Sequence, residues 1–227
     1  MSDAAINIGA LLKFSTLDYP GQLSAVIFCQ GCPNHCVYCH NPEFIPYKSS
    51  SLVNFNEVFD FLSSRRGLLD AVVFSGGEPL VQDGLLSAME QVKSLGYLIG
   101  LHTSGANPRK LREVLPYTDW VGLDIKTVFN KYDTMTGRVN SGDIALASLD
   151  ILLSSNIEYE IRTTVDTRYI SFDDLCSIAQ MLSERSVTKW VLQECILRGD
   201  HDEHIALPNN DEIDKLREII DIEIRKQ

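Results

Sequence analysis

Short apolar segments alternate with amphipathic segments along this 227-residue chain. The apolar segments predict strands over residues 23–28, 71–74, 97–101, 120–125, 157–165 and 190–197. The segments that follow them carry apolar residues at helical spacing, which predicts helices over residues 56–64, 83–95, 108–115, 144–153, 171–182 and 210–224. Alternating strands and helices form a parallel sheet of right-handed βαβ units. Eight such units would close a barrel, so the pattern predicts an α/β fold: a partial (β/α)6 TIM-type barrel of parallel strands, in one domain over residues 1–227.

Composition and charge exclude several classes of protein. Hydrophobic residues make up 44% of the chain and charged residues 22%, which is ordinary for a globular protein. A net charge of −11 disfavours a nucleic-acid partner, because phosphates are bound through basic side chains. No apolar run approaches the roughly 20 residues that span a bilayer, and the N-terminus does not read as a signal peptide. We therefore expect a cytoplasmic protein with no membrane partner, whose cysteines are metal-binding or catalytic rather than disulfide-bonded.

Four cysteines lie close together directly after the first predicted strand, in the run FCQGCPNHCVYCHNP. The last three, Cys32, Cys36 and Cys39, have the spacing C-x3-C-x2-C. Thiolates hold iron–sulfur clusters, and three of them leave one iron of a [4Fe–4S] cluster open to another ligand. The alternative is a structural zinc ion on all four thiols, for which the spacing is cramped. Cys29 ends the strand, and we expect that it is not a ligand.

Polar residues and glycines follow the other predicted strands at the end where parallel barrels carry their chemistry. They are Gly76, Gly77 and Glu78 after the second strand, Thr103 after the third, Asp124 and Lys126 at the fourth, Arg162 in the fifth and Gln193 in the sixth. Paired glycines let the backbone approach a ligand closely, and Glu78 offers a carboxylate suited to an ammonium group. Asp124 and Lys126 share one strand face. For Asp124, Lys126 and Arg162 the alternative is an internal ion pair that holds the barrel.

Together these motifs resemble the radical S-adenosylmethionine (SAM) enzymes. Within them the chain is similar to the glycyl-radical-enzyme activating proteins, and most similar to the short-form activating proteins of anaerobic ribonucleoside-triphosphate reductase. The residues that carry the resemblance are 14–21 (FSTLDYPG), 32–42, 74–80, 124–126, 135–137 and 161–164. The resemblance implies a [4Fe–4S] cluster that takes an electron from a low-potential donor such as flavodoxin or ferredoxin. SAM is then cleaved, and the 5′-deoxyadenosyl radical takes a hydrogen atom from a glycine of a large partner enzyme.

The resemblance also implies a role for each matching residue. Cys32, Cys36 and Cys39 would hold the cluster and, with Lys126 and Asp18, make up the catalytic set, Asp18 lying near the entering glycine loop. The implied SAM contacts are Tyr38 against the adenine, Gly76, Gly77 and Glu78 at the methionine ammonium, Thr103, Asp124, Lys126 and Arg162 around the cofactor, and Gln193 near the ribose.

The chain departs from the family pattern after the third strand. Residues 102–105 read His-Thr-Ser-Gly, where relatives tend to have Asp-Thr-Asn-Gly, which argues against a cation site built on that aspartate. Two other functions stay open at this point. One is a radical SAM enzyme that acts on a small molecule or a ribosomal peptide, and the other is a non-enzymatic zinc-binding interaction module.

Overall fold

The computed structural model of the protein describes residues 6–197 and 202–226. Within them, nine strands form one sheet. The strands are β1 (Ile8–Ser15), β2 (Ser24–Cys29), β3 (Ala71–Gly76), β4 (Leu98–Thr103), β5 (Trp120–Asp124), β6 (Glu158–Val165), β7 (Lys189–Leu197), β8 (Glu203–Ile205) and β9 (Asp221–Arg225). The helices are α1 (Phe55–Ser64), α2 (Leu85–Ser94), α3 (Pro108–Val114), α4 (Tyr132–Thr136), α5 (Ser141–Leu153), α6 (Phe172–Glu184) and α7 (Asn210–Arg217).

The strands from β2 to β7 lie side by side in chain order and are parallel. This confirms the six predicted strands and the partial barrel. β1 is antiparallel to β2, while β7 pairs on its far side with β8 and β9. In the part of the chain that the structure describes, β1 does not pair with β8 or β9. The barrel is therefore open between its first strand and its last ones.

The C-terminal segment corrects the sequence prediction. The helix expected over residues 210–224 ends at Arg217, and a strand follows it. A capping box between Asn209 and Glu212 begins the helix as its sequence requires. From Asp221 onward the buried Ile222 alternates with polar neighbours, and this period of two favours a half-buried strand. β1 and β8 were also missing from the prediction.

Apolar side chains form two separate clusters. The larger one fills the space between the sheet and the helices. The smaller one lies inside the barrel, where Tyr19 packs with Val26, Val73 and Trp120. The Tyr19 and Trp120 rings are 5.3 Å apart, and a Cβ added at Gly100 would lie 3.0 Å from the Tyr19 ring. The turn between β1 and β2 thus inserts its tyrosine into the barrel and fills the end opposite the cysteines.

No helix among residues 6–197 and 202–226 combines the length and the apolar character that crossing a membrane requires.

Candidate active site

A cavity of about 640 Å³ opens at the carboxyl ends of the parallel strands. It brings together most of the residues that the sequence singled out. From the cysteine run it is lined by Cys32, Cys36, Tyr38 and Cys39, and from the strand ends by Gly76, Gly77, Thr103, Asp124, Lys126, Arg162 and Gln193, with Asp18 from the first turn. Among the predicted site residues, Glu78 alone is not part of the described cavity wall.

The three predicted cluster ligands are partly exposed, whereas Cys29 is buried and does not line the cavity. Backbone hydrogen bonds from His35 to Thr136 (2.6 Å) and from Val37 to Met135 (3.2 Å) hold the cysteine loop. Burial, and then Glu78, raise the pKa of the Cys32 thiol to about 12, so a metal group must displace its proton on binding. Three thiols on one wall fit a [4Fe–4S] cluster with one open iron.

The zinc alternative required a closed tetrahedral site of four thiols. Cys29 lies away from the cavity, at the end of β2. Cys29 is thus set apart from the three thiols that line the cavity, whereas a closed zinc site would need it beside them.

Gly76 and Gly77 are required where β3 meets the cysteine loop. Gly76 has a φ of 100°, in the left-handed region. A Cβ at Gly77 would lie 2.5 Å from the carbonyl oxygen of Gly31 and 2.6 Å from that of Phe44. The two glycines let the cysteine loop pack directly on the end of β3, and both also line the cavity.

Glu78 is buried, with 1% of its surface exposed. One carboxylate oxygen accepts hydrogen bonds from the Leu80 amide (3.1 Å) and the Thr103 hydroxyl (2.5 Å). The other accepts from the amide and the hydroxyl of Ser104, at 2.9 and 2.5 Å. The carboxylate thus ties the loop after β3 to the loop after β4. Its predicted contact with the SAM ammonium stays a prediction.

Asp124, Lys126 and Arg162 form a charged cluster on the cavity wall. The Arg162 guanidinium lies 3.0 Å from the Asp124 carboxylate, and the Lys126 ammonium lies 3.7 Å from it. Burial alone would raise the pKa of Asp124, but Arg162 and Lys126 outweigh it and hold that pKa below its usual value. The Lys126 ammonium also lies 5.8 Å from the centre of the Tyr38 ring. The internal ion pair expected from the sequence is present, and it faces the cavity.

The remaining predicted residues, Asp18, Thr103 and Gln193, also line the cavity. The Asp18 carboxylate accepts a hydrogen bond from the Ser15 hydroxyl at 2.5 Å. The Asp18 carbonyl oxygen lies 2.8 Å from Nε2 of His102, which donates to it. Burial, and then Arg162, lower the pKa of His102 to about 3, so its ring is neutral.

Sequence reasoning missed several residues of the cavity wall, namely Asn34, Ser104, Glu194, Arg225 and Lys226. The position of Ser104 after the third strand was a usable signal. The positions of Asn34 and Arg225 were not, because one lies inside the cysteine spacing and the other on the unpredicted strand.

The model of the Radical SAM superfamily matches residues 26–184, and the chain belongs to that superfamily. The cofactors are therefore a [4Fe–4S] cluster and SAM. The chain is 29% identical over 225 residues to a provisionally named glycyl-radical enzyme activating enzyme of Methanocaldococcus jannaschii, covering 93% of this chain and 90% of that protein. It is 32% identical over 141 residues to the pyruvate formate-lyase-activating enzyme of Clostridium pasteurianum, covering 60% of this chain and 59% of that protein.

Among solved structures, the chain is similar in fold to QueE from Escherichia coli. The TM-score is 0.58 at 16% identity, and the match covers 98% of this chain and 94% of QueE.

Proposed function

We propose that this chain is an activating enzyme of a glycyl-radical enzyme, and that its partner is anaerobic ribonucleoside-triphosphate reductase. The observation that carries the proposal is the extent of its similarity to the Methanocaldococcus activating enzyme, which spans 93% of this chain and 90% of that one. The similarity therefore reaches beyond residues 26–184, the part that radical SAM proteins of many kinds share.

When bound, the reduced cluster and SAM supply a 5′-deoxyadenosyl radical. The chain's own residues bind and orient the cofactors. Cys32, Cys36 and Cys39 hold the cluster at one wall of the cavity. Tyr38 offers its ring as a face for the adenine, and Lys126 and Arg162 offer positive charge to the methionine carboxylate. Tyr19 and Trp120 exclude water from the barrel below the cofactors, which protects a reactive radical.

The open side of the barrel suits a polypeptide substrate. Leu12 and Phe14 are exposed on β1, the strand that borders the open side of the barrel. Leu17, 83% exposed, extends this apolar surface to the cavity, which it lines. We call this surface of Leu12, Phe14 and Leu17 the apolar lip. A glycine loop of a large partner would cross the apolar lip to reach the cofactors. An external low-potential carrier, flavodoxin or ferredoxin, would supply the electron.

The test is electron paramagnetic resonance of the reconstituted, reduced protein with SAM and each candidate partner. We expect a glycyl-radical doublet on the anaerobic reductase, and no doublet when the partner's radical glycine is replaced by alanine. A doublet on pyruvate formate-lyase alone would keep the activase class and change the partner. SAM cleavage without a radical on any glycyl-radical enzyme, together with turnover of a small molecule, would overturn the proposal.

Leu17→Asp serves as the matched variant for the lip. Its iron content and SAM affinity should equal those of the wild type, whereas the partner concentration for half-maximal radical formation should rise about tenfold, because a charge replaces an apolar side chain that the bound partner would bury. A normal partner response in this variant would remove the apolar lip from the proposed docking route.

A further inference from the structure

The turn between β1 and β2 forms part of the cavity wall and is closed on itself. Leu17 and Asp18 both line the cavity. The Ser15 hydroxyl donates to the Asp18 carboxylate at 2.5 Å and accepts from the backbone amides of Leu17 (3.1 Å) and Asp18 (3.3 Å). These contacts fix the shape of the turn, but they do not fix its position relative to the strands across the cavity.

A hydrogen bond from His102 joins the turn to β4. The Nε2 atom of His102 lies 2.8 Å from the carbonyl oxygen of Asp18. A carbonyl oxygen can only accept, so the proton of the neutral ring is on Nε2. The Tyr19 ring also holds the turn by packing on Trp120, but apolar packing has no preferred direction. The hydrogen bond therefore supplies the directional contact between the turn and the sheet.

The imidazole ring is itself held on two further sides. It meets the Trp120 ring edge to face, with the ring centres 5.4 Å apart and the planes at 67°. Its Nδ1 atom lies 3.4 Å from the Ser75 hydroxyl at the end of β3, and this nitrogen can only accept because Nε2 carries the proton. His102 thus connects the turn to the strand that ends in Gly76.

The residue type at position 102 decides whether this link can form. An aspartate, which relatives tend to have here, could not donate to the Asp18 carbonyl oxygen when ionised. An apolar side chain could pack on Trp120 but could not donate either. The link therefore depends on a side chain that both reaches Asp18 and carries a donor.

We propose that His102 is a positioning residue for the hydrogen transfer, which acts by holding the turn that the partner's glycine segment meets as it enters the cavity. The inference rests on the proposed function. In that reaction a hydrogen atom moves from the glycine Cα to the 5′ carbon of the adenosyl radical, which leaves a glycyl radical and 5′-deoxyadenosine. A misplacement of about 1 Å can slow such a step about a hundredfold, so the position of the turn matters.

The experiment compares two substitutions that differ in reach. In His102→Gln the amide nitrogen extends about as far as Nε2 of the ring and can donate to Asp18. His102→Asn carries the same amide on a side chain one carbon shorter, so it does not reach the carbonyl oxygen. Both variants lose the ring contact with Trp120, so the difference between them reports the hydrogen bond.

The first measurement is the amount of 5′-deoxyadenosine formed per glycyl radical at saturating partner. We expect this ratio to stay near the wild-type value in His102→Gln. In His102→Asn it should rise about tenfold, because the misplaced glycine gives up its hydrogen more slowly than SAM is cleaved.

The second measurement needs no partner. Hydrogen exchange of the Leu17 and Asp18 amides, followed in the reconstituted protein, reports how often the turn opens. Exchange should be about tenfold faster in His102→Asn than in the wild type and in His102→Gln, because one hydrogen bond that closes the turn against β4 is lost.

A wild-type ratio or wild-type exchange in His102→Asn would overturn the proposal. Equal changes in His102→Asn and His102→Gln would also overturn it, because the ring would then only fill space. If His102→Asn does not load iron, His102→Met is held to the same criteria, since it has about the length of glutamine and no donor. A wild-type protein that forms no glycyl radical on any partner would instead overturn the proposed function and this role with it, while the exchange rates would still show whether His102 holds the turn.

Discussion

The two halves of the barrel interior are built from opposite kinds of side chain. Under the cysteine loop, β2, β3 and β5 present Val26, Val73 and Trp120, and Tyr19 from the first turn packs among them. On the other side, β6, β7 and β9 carry charged side chains that alternate with core residues. They are Glu158, Glu160, Arg162, Lys189, Glu223 and Arg225.

The charged half is held by ion pairs between strands. Arg225 of β9 makes two hydrogen bonds to Glu160 of β6, at 2.7 and 2.9 Å. Glu223 pairs with both Arg225 (2.7 Å) and Lys189 (2.5 Å). The apolar half gains its stability from burial, which does not depend on a particular partner, whereas each ion in the charged half depends on its counter-ion. The apolar half therefore suits a rigid support beneath the cofactors. The charged half suits contacts with the polar groups of SAM, and it extends to the open side of the barrel.

The largest expected effect concerns the cysteines above the apolar half. Cys36→Ala should lose the cluster, whereas Cys29→Ala should keep about four irons per chain, because Cys29 packs at the end of β2 away from the cavity. Iron and acid-labile sulfide, measured after anaerobic reconstitution, check both variants. Loss of the cluster in Cys29→Ala with retention in Cys36→Ala would reverse the ligand assignment.

Trp120→Ala should lower the free energy of unfolding by about 3–5 kcal/mol, because it empties the centre of the apolar half. Urea denaturation of the cluster-free chain measures this. Tyr19→Phe is the matched control and should stay within about 0.5 kcal/mol, since it keeps the ring that contacts Trp120. A small loss in Trp120→Ala would show that the inner apolar cluster does not stabilise the barrel.

Glu160→Ala should cost about 2 kcal/mol of unfolding free energy. Removing one partner of a buried pair costs more, but Arg225 is 27% exposed at its side chain and can regain water. Arg225→Ala should cost a similar amount, and the double variant less than the sum of the two. Strict additivity in this double-mutant cycle would mean that the pair does not connect β9 to β6.

The sequence was sufficient for the six parallel strands and the cysteine wall, because apolar runs and ligand spacing are local signals. It was insufficient for β9, where the polar α7 merged with a short alternating strand. It predicted a SAM contact for Glu78, which stays a prediction, but not the four hydrogen bonds that this carboxylate accepts within the chain. Such contacts join loops far apart in sequence, so the pattern around Glu78 does not reveal them. The unpaired acceptor of Asn34 could not be predicted either, because it follows from contacts with Ser104 and, through it, Glu78, which lie far away in the sequence.

The smallest expected effect belongs to His102, which lies at the boundary between the two halves. Its ring meets the Trp120 ring at 5.4 Å, while burial, and then Arg162, lower the pKa of His102 to about 3. In the unfolded chain the pKa returns to about 6.5, so the unfolded state binds the extra proton first as the pH falls. The contribution is complete above pH 6.5 and is lost progressively toward pH 3.

Between pH 6.5 and 5.5 the wild type should therefore lose about 1 kcal/mol more unfolding free energy than His102→Gln, which has no titrating ring. Urea denaturation of both chains at the two pH values gives the difference directly. Asp124 does not contribute to this pH dependence, because its pKa is held below its usual value and its carboxylate stays ionised in this range. Equal pH dependence of the two chains would mean that the ring takes up its proton in the folded state. His102 would then belong to the charged half of the barrel interior, in spite of its contact with the Trp120 ring.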